Sequence, residues 1–85
     1  DAALLLYESM LAGRKIVEEK GVRNAELVKA EVMSILTKKP VVRVNYVEIV
    51  DGSSMRPERE VQPGHSMIVV AVWLNEVRLI DNLPL

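Results

Sequence analysis

The feature that most narrows what this 85-residue chain can fold into is the run Met67-Ile-Val-Val-Ala-Val-Trp-Leu74. Successive side chains of an extended strand point to opposite faces. Ile68, Val70, Val72 and Leu74 therefore share one face, and Met67, Val69, Ala71 and Trp73 share the other. Both faces are apolar. A strand with one solvated side alternates apolar with polar residues, so this one belongs in the middle of a sheet covered from both sides. After it come Asn75-Glu76 and a second apolar run from Val77. Asn tolerates the positive φ of a two-residue hairpin turn. Residues 67–74 and 77–82 thus read as a hairpin whose first strand is central.

The flanking strand on the other side is supplied upstream by Val42-Arg-Val-Asn-Tyr-Val-Glu-Ile-Val50, rich in β-branched residues. Asp51-Gly-Ser-Ser54 reads as a turn, and the polar stretch to Gly64, interrupted by Pro57 and Pro63, as irregular. Two helices precede the strands. Ala3, Leu6, Met10, Gly13 and Val17 recur at steps of three and four over residues 2–20, with Tyr7 and Leu11 widening the face. Gly13 inside a helix costs about 1 kcal/mol relative to Ala, which predicts a close backbone approach there. Lys20-Gly21 is a stop signal. Asn24 predicts the N-cap of a second helix, with Val28, Val32 and Ile35 as its stripe beside Leu27 and Leu36, ending at Lys38-Lys39-Pro40. So short a connector folds the pair into an αα-hairpin. The fold class is α+β, an αα-hairpin on a three-stranded antiparallel sheet with 67–74 in the centre. The helices cover one sheet face; a second domain, another subunit or the loop 51–65 is expected on the other.

Composition limits the function classes. Eleven basic against twelve acidic residues leave a net charge of −1, without the basic surplus of a nucleic-acid module. The absence of cysteine removes disulfides and thiolate metal sites. The longest apolar run is far too short for a membrane-spanning helix, and no membrane or nucleic-acid partner is expected.

Candidate chemistry is sparse. His65, the one histidine, lies near Asp51, Ser53, Ser54 and Ser66 in sequence, but a triad is recognised by geometry, and a polar loop residue is the preferred reading. Asp51-Gly-Ser-Ser54 lacks the second glycine, the lysine and the helix of a phosphate-binding loop. Lys38, Lys39 and Arg43 read as a solvated helix terminus. Asp81, on the face of Val77 and Leu79, is open to three readings: a buried anchor, a contact to another domain, or a strand end in solvent. Tyr46 and Trp73 read as core or interface residues. No catalytic or metal-binding residue is assigned; Tyr46, Trp73, Asp81 and Asn82 are the domain-interface candidates.

Several segments resemble one enzyme family. Ala71-Val-Trp-Leu-Asn-Glu-Val-Arg-Leu-Ile-Asp-Asn82 is similar to the closing hairpin of the pantoate–β-alanine ligases (pantothenate synthetases). Leu6-Tyr-Glu-Ser-Met10 with Ala12-Gly13 is similar to the first helix of that family's C-terminal domain, and Asn45-Tyr-Val-Glu-Ile-Val-Asp51 to its aspartate-tyrosine-valine strand. Asn45 stands where the aspartate is usual, and Gly52-Ser53-Ser54 and Asn75-Glu76 also depart from the pattern. The resemblance implies that residues 1–85 form a C-terminal lid-type domain. The N-terminal Rossmann-like domain that binds ATP and Mg2+ lies outside these residues and is the partner. It further implies a cytoplasmic, homodimeric full-length enzyme that activates pantoate as its adenylate before β-alanine attacks. The chain would then begin inside its first helix, with no cap before Asp1. The competing expectation is a stand-alone interaction module using the apolar sheet face.

Overall fold

The computed structural model describes all 85 residues. Helix α1 spans Ala2–Lys20 and α2 Ala25–Leu36; strands follow as β1 Val42–Asp51, β2 Ser66–Leu74 and β3 Val77–Pro84. The sheet is antiparallel in the order β1-β2-β3, with β2 central.

Each helix has a local reason to start and stop. The Asp1 carboxylate accepts the Leu4 N–H at 2.8 Å, so α1 is capped by Asp1 itself, contrary to the expectation of an uncapped start. Gly21 ends α1 in the left-handed conformation at φ 66°, its N–H returning to the Ile16 carbonyl. Asn24 caps α2 through the Leu27 N–H at 3.2 Å. The buried stripe of α1 is Leu6, Ser9, Met10, Gly13 and Val17, whereas Ala3 and Tyr7 face solvent. That of α2 is Ala25, Val28, Val32 and Leu36, leaving Leu27 exposed and Ile35 half-buried. Val28, Val32 and Leu36 are thus buried as expected, and Ala25 joins them where the segment after β1 packs at the start of α2. The Ala25 N–H donates to the Arg59 carbonyl at 2.9 Å, the Val61 N–H donates to the Arg23 carbonyl at 2.7 Å, and Val61 joins the core.

Gly13 is where the layers meet. A Cβ there would stand 2.8 Å from Val32 Cγ2, 3.0 Å from Ile68 Cδ1 and 3.3 Å from Val28 Cγ1. The close approach is real, but side chains of α2 and β2 make it, not a backbone. Mid-α1 against mid-α2 across a four-residue connector is the geometry of a helical hairpin. Around this point Met10, Val28, Val32, Leu36, Ile49, Ile68 and Val70 are fully buried.

Cross-strand partners in an antiparallel ladder share a face, so the register assigns every sheet residue to a side. Val42, Val44, Val47 and Ile49 of β1 and Leu79 and Leu83 of β3 lie with Ile68, Val70, Val72 and Leu74 on the helix side. A bulge between Val44 and Tyr46 takes Asn45 out of the pairing. One extra residue flips all that follows it, which sends Tyr46, Glu48 and Val50 to the opposite face. The Asn75-Glu76 turn joins β2 to β3 with Asn75 at φ 56°.

Loop 52–65 does not form a layer over that second face; it meets it at Val50, which bridges to Pro57 and is buried. The Glu58 N–H donates to the Ile49 carbonyl and the Asp51 N–H to the Arg56 carbonyl, so the loop runs beside the edge of β1 and then crosses to the helix connector. No helix is long and apolar enough to cross a membrane.

Candidate interaction site on the open sheet face

Four cross-strand rows make up the open face: Arg43–Trp73–Arg78, Tyr46–Ala71–Ile80, Glu48–Val69–Asn82 and Val50–Met67–Pro84. Ala71 and Val50 are buried within it, Val50 beside its bridge to Pro57, and the rest is partly or fully exposed. Ile68, Val70 and Val72 are at most 1% exposed on the helix side, while Met67, Val69 and Trp73 of the same strand stay half-exposed.

The four interface candidates divide by register. Tyr46 and Trp73 are half-buried on the open face, and Asn82 is exposed there opposite Val69. Asp81 projects to the helix side, exposed at the edge strand, with its carboxylate accepting the Asn82 N–H at 2.8 Å. A buried anchor is therefore excluded for Asp81.

Arg43, expected at a solvated helix terminus, lies instead in β1, and Arg78 was not among the expected site residues. Arg43 and Arg78 flank Trp73 from β1 and β3. The Arg78 guanidinium leans diagonally past Ala71 to stand 5.8 Å from the centre of the Tyr46 ring. A cation–π contact of this kind contributes about 0.5–1 kcal/mol at an exposed site, and the small Ala71 side chain leaves room for it. The Trp73–Arg78 pairing could have been counted across a two-residue turn; the Arg43–Trp73 pairing depends on the bulge and could not. Neither arginine has an ion-pair partner within the chain, whereas Glu48 on the same face is held by Lys29 of α2 at 3.6 Å.

The other polar clusters are engaged in building the fold. The Asp51 carboxylate accepts the Ser53 and Ser54 N–H groups at 2.8 and 2.9 Å. The Ser54 N–H and then the Ser53 N–H hold its pKa below the ordinary aspartate value. These amides are consumed within the turn, which leaves none of them for a phosphate. Ser66 is buried; its hydroxyl donates to Glu58 Oε1 at 2.5 Å and accepts the Gln62 N–H at 2.7 Å. The exposed His65 makes no side-chain hydrogen bond to a serine; its carbonyl accepts the Gly52 N–H at 2.7 Å. The sequence neighbours of a triad are thus separate structural contacts. No group of three or more His, Asp or Glu side chains is arranged to hold a metal ion.

The chain is a two-layer α+β unit whose second sheet face carries Trp73, Tyr46, Arg43, Arg78 and Met67. Residues 1–84 match the family model of the pantoate-beta-alanine ligases, and the chain belongs to that family. It is 36% identical over 81 residues to the pantothenate synthetase of Thermosipho africanus, covering 95% of this chain and 28% of that protein. It is 37% identical over 83 residues to that of Thermotoga petrophila, covering 94% and 28%. A bifunctional pantoate ligase/cytidylate kinase of Trichodesmium erythraeum is 34% identical over the whole chain, which is 16% of its length. The crystal structure of pantothenate synthetase from Thermus thermophilus superposes with a TM-score of 0.84 at 29% identity, over 94% of this chain and 28% of that one. The chain therefore spans under a third of the relatives it matches, and corresponds to the C-terminal domain of the family.

Proposed function

We propose that residues 1–85 are the closing domain of a pantoate–β-alanine ligase. In this reading a larger N-terminal domain binds ATP, Mg2+ and pantoate and forms pantoyl-adenylate with loss of pyrophosphate. The β-alanine amine then attacks the acyl carbon, and AMP leaves. This chain contributes none of the reacting groups. Its one loop reminiscent of a phosphate cradle spends the Ser53 and Ser54 amides on the Asp51 carboxylate of its own turn.

The work left for such a domain is exclusion of water. An acyl-adenylate is lost to hydrolysis if water reaches it, and closing a low-dielectric cover also strengthens the electrostatics beneath. The observation that carries the reading is the bare open face in a chain belonging to this family: the domain satisfies its own core on one side only. The full-length enzyme is expected to be a cytoplasmic homodimer. A stand-alone interaction module would use the same face, but it gives no reason for the match of residues 1–84 to a ligase family.

The 85-residue chain, given ATP, Mg2+, pantoate and β-alanine, is expected to form no pantothenate. The full-length polypeptide should form it, and deleting residues 1–85 from that polypeptide should leave AMP release that outruns pantothenate formation. Pantothenate made by the 85 residues alone would sink the proposal.

A further inference from the structure

The open face is specific enough to say what it docks against. We infer that the row Arg43–Trp73–Arg78, braced by Tyr46, seats the domain on a carboxylate-bearing surface of the same polypeptide; this rests on the closing-domain reading above.

Three observations select that occupant. The first is shape. The four hollows in the molecular surface lie elsewhere, and only Tyr46 and Glu48 of this face border one of them, at the edge of β1. Small ligands are held in concave sites, so a flat face fits a protein surface better than a nucleotide. The second is size. Three strands spaced about 4.8 Å apart, over seven residues rising about 3.4 Å each, present roughly 340 Å2. Two copies face to face would bury about 700 Å2, short of the roughly 1,200 Å2 that stable complexes need. A tethered domain needs far less area, because the linker supplies an effective concentration of order millimolar. A small face also lets the domain lift again to release product.

The third is charge. Trp, Tyr, Arg and Met are the residue types enriched where interfaces are strongest. Here Arg43 and Arg78 flank Trp73 in the ladder with no acid of their own, and Glu48, the face's one carboxylate, is paired with Lys29. Arg78 is further held over Tyr46. A partner surface that brings carboxylates to the two arginines and an apolar contact to Trp73 completes the row, and charge-assisted Arg–carboxylate bonds are among the stronger polar contacts available.

The test uses the full-length ligase that carries this chain. Arg43→Glu with Arg78→Glu is compared with the wild type and with Lys15→Glu plus Arg56→Glu, an equal charge change at exposed sites off the face. The readout is AMP released per pantothenate formed, between 50 and 500 mM salt. Loss of coupling by about tenfold in the face variant, none in the control, and a wild-type ratio that rises with salt while the face variant's does not, would support the inference. Near-wild-type coupling in the face variant would overturn the inference and leave the closing-domain reading intact. A wild-type enzyme that makes no pantothenate would overturn that reading instead. Arg43→Gln with Arg78→Gln removes the charges without reversing them, and a circular dichroism spectrum equal to wild type guards against a folding defect. One result would assign the row to a small anion and overturn the carboxylate partner: quenching of Trp73 in the 85-residue chain by millimolar ATP alone, abolished by the same glutamines.

Discussion

The two faces of β2 are made from the same kinds of residue and end in opposite conditions. On the helix side Ile68, Val70 and Val72 interdigitate with Met10, Val28 and Val32 and are lost to solvent. On the other side Met67, Val69 and Trp73 stay half-exposed, and only the small Ala71 is fully buried. The first face holds the domain together, and the second stays largely open within these residues. Apolar pattern alone states that both faces want cover. Only the packing shows which one the chain covers for itself.

That contrast can be broken from either side, and the effects should differ in size. Ile68→Ala deletes a fully buried side chain that also touches Gly13, so a loss of about 2–5 kcal/mol is expected in urea unfolding of the 85-residue chain. Gly13→Val would place methyl groups inside the 2.8 Å approach of Val32. About 1–3 kcal/mol of overpacking cost should appear in the same measurement. Asp1→Ala removes the α1 cap and should cost about 1 kcal/mol, read as helix signal lost on warming. Val69→Thr, on the open face one position from Ile68, should change stability by about 0.5 kcal/mol or less. A Val69→Thr cost equal to that of Ile68→Ala would erase the distinction between the faces.

The smallest effect is a pH dependence. The folded-state pKa of Asp51 is lowered by the Ser54 and Ser53 N–H groups. Its contribution is therefore fully present above the unfolded aspartate value and is lost as pH falls through the lowered folded value, below about pH 4. Asp51→Asn keeps an acceptor for both amides but removes the charge. Thermal unfolding from pH 6 to pH 2 should thus fall less steeply in the variant than in the wild type.

Much of the architecture was legible because it rests on local rules. The Lys20-Gly21 stop, the Asn24 cap and the Asn75-Glu76 turn are set by one or two residues each, and the two-sided run 67–74 placed the central strand. What escaped depends on residues far apart in sequence. The bulge at Asn45 is a matter of register between β1 and β2, and with it went the side on which Tyr46 lies and the pairing of Arg43 with Trp73. Ala25 is buried and Leu27 exposed because Val61 and Arg59 arrive from 34 or more positions later, which no periodicity within α2 could show. Of the site, the aromatic members were visible as strand residues; the arginines were not, since charge in a strand pattern reads as solvent.

The most direct measurement is hydroxyl-radical footprinting of the full-length ligase, read at residues this chain already distributes well. Met10 lies in the core, Met33 on the outer side of α2, Met55 in the exposed loop, and Met67 with Trp73, the chain's one tryptophan, on the open face. With ATP, Mg2+ and pantoate bound, Met67 and Trp73 should be protected while Met33 and Met55 are oxidised as before and Met10 stays inert. Equal oxidation of Met67 and Trp73 with and without these ligands, in an enzyme that forms pantothenate once β-alanine is added, would contradict the account.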